Sequence, residues 1–89
     1  MVVCAGLVDI HVHLREPGFE YKETVETGAL AAARGGFSSI ACMPNTSPAV
    51  DSPEQIDFLK GKAAAACGVH VWPIGAVTRG QKGQALTDF

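Results

Sequence analysis

Apolar and polar positions alternate in the strand manner over residues 7 to 14, "LVDIHVHL". Val8, Ile10, Val12 and Leu14 fall on one side and Asp9, His11 and His13 on the other. If the extension continues, Arg15 joins the polar side before "EPG" breaks the strand. An alanine-rich stretch from about Glu23 to Arg34 reads as a helix, ended by Gly35 and Gly36. "FSSIACM", residues 37 to 43, is a second strand, stopped by the turn-forming "PNTSP". A second helix is announced by Ser52 as N-cap, Pro53 in the first helical position and Gln55 closing a capping box; it runs to about Ala66, before Gly68. "VHVWPIGAVT", residues 69 to 78, is the third strand, and "RGQKGQALTDF" begins as a loop.

This order, strand and helix in turn, predicts an α/β fold: a βαβαβ segment with parallel strands and right-handed crossovers. Such strands need cover on both faces, so the sheet must continue or close. Two parents fit, an open doubly wound sheet and a (β/α)8 barrel of the TIM type. A complete barrel takes about 250 residues, so 89 residues are its first part, incomplete. Apart from a short alanine run at 63 to 66 there is no repeat or low-complexity segment.

Composition narrows the function. The chain is 47% hydrophobic and 18% charged, which suits a packed core and not a disordered segment. A net charge of -2 with no basic cluster predicts neither a nucleic-acid nor an acidic-membrane partner. No apolar run is long enough to span a bilayer, and no signal peptide opens the chain. Cys4, Cys42 and Cys67 form no CxxC pair and leave one thiol over, so a reduced cytoplasmic setting is expected. All three are read as small buried hydrophobes, with no neighbouring base to make them nucleophiles.

The candidate chemistry lies on the polar side of the first strand. In parallel α/β folds sites gather at the carboxyl ends of the strands, where His11 and His13 fall. Residues two apart on a strand are roughly 6 to 7 Å apart at Cα, close enough for two imidazoles to converge on one metal ion. His-x-His alone also fits a solvated rim or a satisfied core pair. Arg15 just beyond, suited to a carboxylate or phosphate, and Asn45 at the matching end of the second strand favour a metal-and-anion site. His70 starts the third strand eight residues before Thr78, about 26 Å from that end at strand rise, and is read as structural. Trp72 is expected to pack in the core or between sheet and helix. Glu16, Glu20, Glu23 and Glu26 are expected to be a solvated loop and helix start, not a catalytic carboxylate pair.

"GLVDIHVHLREPGFEYKETVETGALAAARGGF", followed by "ACMPNTSP" and "GAVTRGQKG", resembles the bacterial dihydroorotases of the amidohydrolase superfamily over nearly the whole chain, from about Val3 to Phe89. Related cyclic amidohydrolases share the His-x-His. The allantoinase pattern has Asn where this chain has Arg15, and hydantoinases lack the "HLREPG" run, so Arg15 with Asn45 is the discriminating pair. The resemblance implies that His11 and His13 are the first two ligands of a two-ion zinc site. It also implies that Arg15 and Asn45 hold the carboxylate of dihydroorotate or N-carbamoyl-L-aspartate, which the family interconverts in pyrimidine synthesis by zinc-activated water and an aspartate that shuttles the proton.

Two departures stand beside it. Ala5 replaces the proline usual before the glycine. The family's bridging acidic or carboxylated-lysine ligand, two further histidines and the catalytic aspartate are expected beyond Phe89, so no catalytic residue is assigned within these residues. The 89 residues are therefore expected to be an inactive and poorly stable fragment alone, covered by the remainder of a parent chain or by self-association. The alternatives are a non-catalytic dihydroorotase-like partner, for instance of aspartate transcarbamoylase, and another cyclic amidohydrolase.

Overall fold

The computed structural model describes residues 1–89. Its elements are β1 (Leu7–Val12), α1 (Val25–Arg34), β2 (Phe37–Cys42), α2 (Pro53–Ala64), β3 (His70–Pro73) and a 3-10 turn at Arg79–Gln81. The strands form one parallel sheet of order β1-β2-β3, with β2 in the centre. This is the expected parallel βαβαβ segment, consistent with a piece of a (β/α)8 barrel.

Each element is shorter than its sequence pattern, and local chemistry says where it stops. Helix α1 begins after Thr24 rather than at Glu23. The Thr24 hydroxyl accepts from Thr27 N and the Thr27 hydroxyl accepts from Thr24 N, so a threonine pair closes the box that Glu or Gln usually completes. In α2 that box is half made: Ser52 Oγ accepts from Gln55 N at 3.3 Å. Strand β3 ends at Pro73 instead of Thr78. Ile74 N still donates to Cys42 O at 3.0 Å, but Ala76 N turns to Val50 O, in the β2–α2 connection.

Both helices cover the same side of the sheet. Leu14, Val25, Ala29, Ile40, Cys42, Val50, Leu59 and Val69 make a single core there. Val25, Val50 and Leu59 are fully buried, each worth about 1.5 to 3 kcal/mol of transfer from water. Gly28 on α1 makes one close approach possible, because a Cβ there would collide with Leu14 Cδ2. Helix α1 thus accepts a glycine in its interior, at a cost of about 1 kcal/mol, so that the residues following β1 can enter the core.

The other face of the sheet is open, and here two expectations are corrected. Val8 and Ile10 were expected to pack on the helices with Val12 and Leu14, yet they are 63% and 74% exposed. The cause is an irregularity in β1. Asp9 stands opposite Ile40 and Val12 opposite Cys42, so three steps along β1 match two along β2. Asp9 and Val12 therefore share the helix-covered face, and Asp9 Oδ1 accepts from His11 N at 3.0 Å across the bulge. Trp72 is likewise 62% exposed rather than packed, opposite Ala41 in the register.

Of the cysteines only Cys42 is buried; Cys4 and Cys67 are exposed, against expectation, because both lie outside the sheet. Burial pushes the Cys42 thiol above its ordinary value, against the smaller lowering effect of backbone hydrogen bonds at Cys42 and Ile74.

Thiol labelling of the native chain is expected to modify Cys4 and Cys67 quickly and Cys42 only on unfolding; equal rates for all three would contradict the core. The raised Cys42 value also has a sign for stability. The unfolded chain releases its thiol proton first, so the contribution of Cys42 is intact below the unfolded value of about 8.5 and shrinks as pH rises above it. Replacing Cys42 by alanine should remove that slope from denaturation midpoints measured between neutral and alkaline pH.

Candidate functional site

The site forms where β1 and β2 hand over to their loops. His11 is the next-to-last residue of β1 and is exposed; His13 follows the strand and is half-buried. Their rings meet edge to face, with centroids 5.3 Å apart and planes at 66°. His13 Nδ1 lies 2.9 Å from Asn45 Oδ1. An amide oxygen only accepts, so His13 Nδ1 donates in this bond, and a neutral ring then has its Nε2 lone pair free. Metal-binding histidines commonly have this arrangement, in which the second ring nitrogen is tied to an acceptor that sets the tautomer. Asn45 in turn keeps both amide hydrogens for another acceptor.

Arg15 does not continue the strand as its spacing implies. The strand has ended at Val12, and Arg15 has φ 65°, in the left-handed region where non-glycine residues are uncommon. A turn, not strand alternation, sets its direction. The turn is held on both sides: Leu14 is in the core, Glu16 is buried, and Arg15 O accepts from Phe19 N at 2.8 Å. Glu16 corrects a second expectation. At 8% exposure it is no solvated carboxylate; its Oε1 accepts from Val25 N at 2.9 Å and its Oε2 lies 3.5 Å from Lys62 Nζ.

The loops after β1 and β2 are stitched together. Ser47 N donates to Pro17 O at 3.1 Å, and Gly18, at φ 100°, sits so close to Ser47 that an added Cβ would come within 2.7 Å of Ser47 Cβ and closer still to its carbonyl oxygen. With the His13–Asn45 bond, this makes "HLREPG" and "PNTSP" one rigid corner. The "EPG" turn signal was visible in the sequence, but the contact with Ser47, 29 residues later, carries no local signature.

The groups that meet at this end of the sheet are two imidazoles and one amide; the Arg15 guanidinium makes no hydrogen bond or ion pair with them. No group of three or more His, Cys, Asp or Glu side chains converges on a metal position. His70 opens β3 opposite Ser39, at the far end of the strand as expected, and is exposed. A cleft of about 250 Å³ between β1 and α1 borders His13, but its wall is mostly apolar, with Leu14, Ala32, Phe37 and Ile40, and includes neither Arg15 nor Asn45. It is a gap beside α1.

With this geometry in place, comparison with known proteins is specific. The whole chain, residues 1–89, matches the family model described as Dihydro-orotase-like. Dihydroorotase of Brevibacillus brevis is 57% identical over 88 residues, and that of Bacillus caldolyticus 56% over 88, each alignment taking in 99% of this chain and 21% of the relative. Dihydroorotase of Pelotomaculum thermopropionicum is 58% identical over 92 aligned positions, 99% of this chain and 20% of the relative. The chain thus spans about a fifth of the length of the curated relatives it matches.

Exchanging Gly18 for alanine should open the corner, since the new side chain meets both a left-handed φ and the Ser47 backbone. The expected loss is about 1 to 3 kcal/mol, read as a lowered denaturation midpoint. An unchanged midpoint would show that the two loops are not locked.

Proposed function

The chain belongs to the dihydroorotase-like family, and from that premise we propose that its 89 residues carry the first part of a dihydroorotase active site. The reaction is the reversible interconversion of N-carbamoyl-L-aspartate and dihydroorotate, a step of pyrimidine synthesis. Ring opening adds water across the ring amide, hydroxyl to the carbonyl carbon and hydrogen to the nitrogen. The reverse reaction expels the same water.

His11 and His13 are the residues that would hold zinc. The free Nε2 of His13, set by Asn45, and the edge-to-face meeting of the two rings fit a divalent metal of imidazole preference. Zinc, when bound, supplies Lewis-acid polarisation and water activation near neutral pH. Two protein ligands fall short of the three usual in a catalytic zinc site, so the remaining ligands and the proton-shuttling aspartate belong to residues outside these 89.

Arg15 and the Asn45 amide hydrogens take the substrate carboxylate, the guanidinium by two parallel hydrogen bonds. The single observation that carries the reading is the His13–Asn45 bond at 2.9 Å, because it joins the metal-ligating and anion-binding residues of the loops that follow two different strands. The presence of all four residues favours a catalytic role over that of a non-catalytic partner. We place the protein in the cytoplasm on its unpaired cysteines; no helix is long and apolar enough to cross a membrane.

The test is a chimera in which these residues replace the matching 88 of the Bacillus caldolyticus dihydroorotase. The chimera should hydrolyse dihydroorotate and lose activity on chelation, whereas the 89 residues alone should give no turnover with added zinc. His11→Ala or His13→Ala should lower kcat by more than about 100-fold, the upper range of loss for mutating even an outer-shell partner of a metal ligand. Arg15→Ala should raise KM about 10- to 100-fold, as loss of a charged hydrogen bond does. An inactive chimera would overturn the reading, and chelator-sensitive turnover by the short chain would overturn the incompleteness of its site.

A further inference from the structure

The left-handed backbone at Arg15 must be held against its own strain, and what holds it is not in the substrate site. Leu14 on one side is 5% exposed and lodged over Gly28. Glu16 on the other is 8% exposed, and a carboxylate so placed needs partners for its charge. It has two. Oε1 accepts the Val25 N–H at 2.9 Å, at the first position of α1, where backbone donors are unpaired and the helix dipole is positive. Oε2 lies 3.5 Å from Lys62 Nζ, near the end of α2.

Helix α1 does not depend on Glu16 for its cap, since Thr24 and Thr27 already form a reciprocal pair. The Glu16 bond therefore does something else: it ties the residue after Arg15 to the frame of both helices. We propose that Glu16 is a positioning residue for substrate binding, its carboxylate fixing the turn that aims Arg15. This rests on the reading of Arg15 as the residue that binds the substrate carboxylate.

The chimera described above provides the test, with dihydroorotate as substrate. Glu16→Ala should raise KM about tenfold while leaving kcat within about twofold, the pattern of lost uniform binding. Adding Arg15→Ala to Glu16→Ala should cost much less than Arg15→Ala alone, because residues acting on one another are not additive. The conservative variants should fall in an order that reports reach rather than charge. Glu16→Gln keeps the length needed to accept from Val25 N, gives up only the pair with the exposed Lys62 side chain, and should lie close to the parent. Glu16→Asp keeps the charge, is one methylene short and should raise KM several-fold.

Those two variants decide the question where Glu16→Ala does not fold. A purely stabilising role would lower the melting temperature with KM unchanged, or give multiplicative effects with Arg15→Ala; either result overturns the proposal, as does an aspartate variant equal to the parent. An unsubstituted chimera without turnover overturns the dihydroorotase reading and this role together. An active chimera with an indifferent Glu16 overturns only the role.

Discussion

A parallel strand cannot reach its neighbour by a tight turn; its connection has to cross the sheet, and here both crossings are helices that bury the same face. That constraint produces the one-sided molecule. A single core gathers Leu14 and Ile40 from the sheet side and Ala29 and Leu59 from the helices, while Val8, Ile10 and Trp72 stay exposed on the face the helices do not cover. The same constraint puts the ends of β1 and β2 side by side, since parallel neighbours finish at the same edge. A histidine from one loop and an asparagine from the next can then share a hydrogen bond across 32 positions of sequence.

The site is made largely by departures from regular backbone. A bulge in β1 keeps Asp9 on the covered face and leaves Ile10 and His11 outside it. A left-handed residue after Leu14 takes over where strand alternation ends, and a glycine without room for a side chain lets the second loop press on the first. Each departure carries a local cost, and each is met by a specific partner: the Asp9 side chain at the bulge, Glu16 with the start of α1 at the turn, Ser47 with Pro17 at the corner. His11 and Asn45 are exposed and His13 and Arg15 half-buried; of the groups that hold their backbone, Glu16 is buried, Asp9 and Pro17 are half-buried and Ser47 is exposed.

Much of this was legible in the order of residues. Strand and helix order followed from alternation, alanine content, the Ser52–Pro53 start and the glycines, because those signals act within a few positions. His11, His13 and Arg15 stood out because charged and imidazole groups at strand ends are hard to place in a core, and Asn45 because its amide falls at the matching end of the second strand. Glu16 and Trp72 were misread for one reason. Whether a side chain is buried depends on what another segment brings against it, and neither Lys62 above Glu16 nor the bare face beside Trp72 is written near either residue. Asp9 was misplaced because a bulge shifts the face of a strand without changing its apparent alternation.

By itself, then, the sequence determined the α/β class, the parallel βαβαβ order and the start of α2, and it singled out four residues as a candidate site. Those depend on local propensity and on side-chain chemistry, which a short window contains. Only the tertiary structure decided the side of β1 on which each residue lies, the burial of Glu16, the left-handed turn at Arg15 and the proton position on His13. Each of these is set by a contact between segments distant in the chain, where packing and hydrogen-bond geometry outweigh local preference.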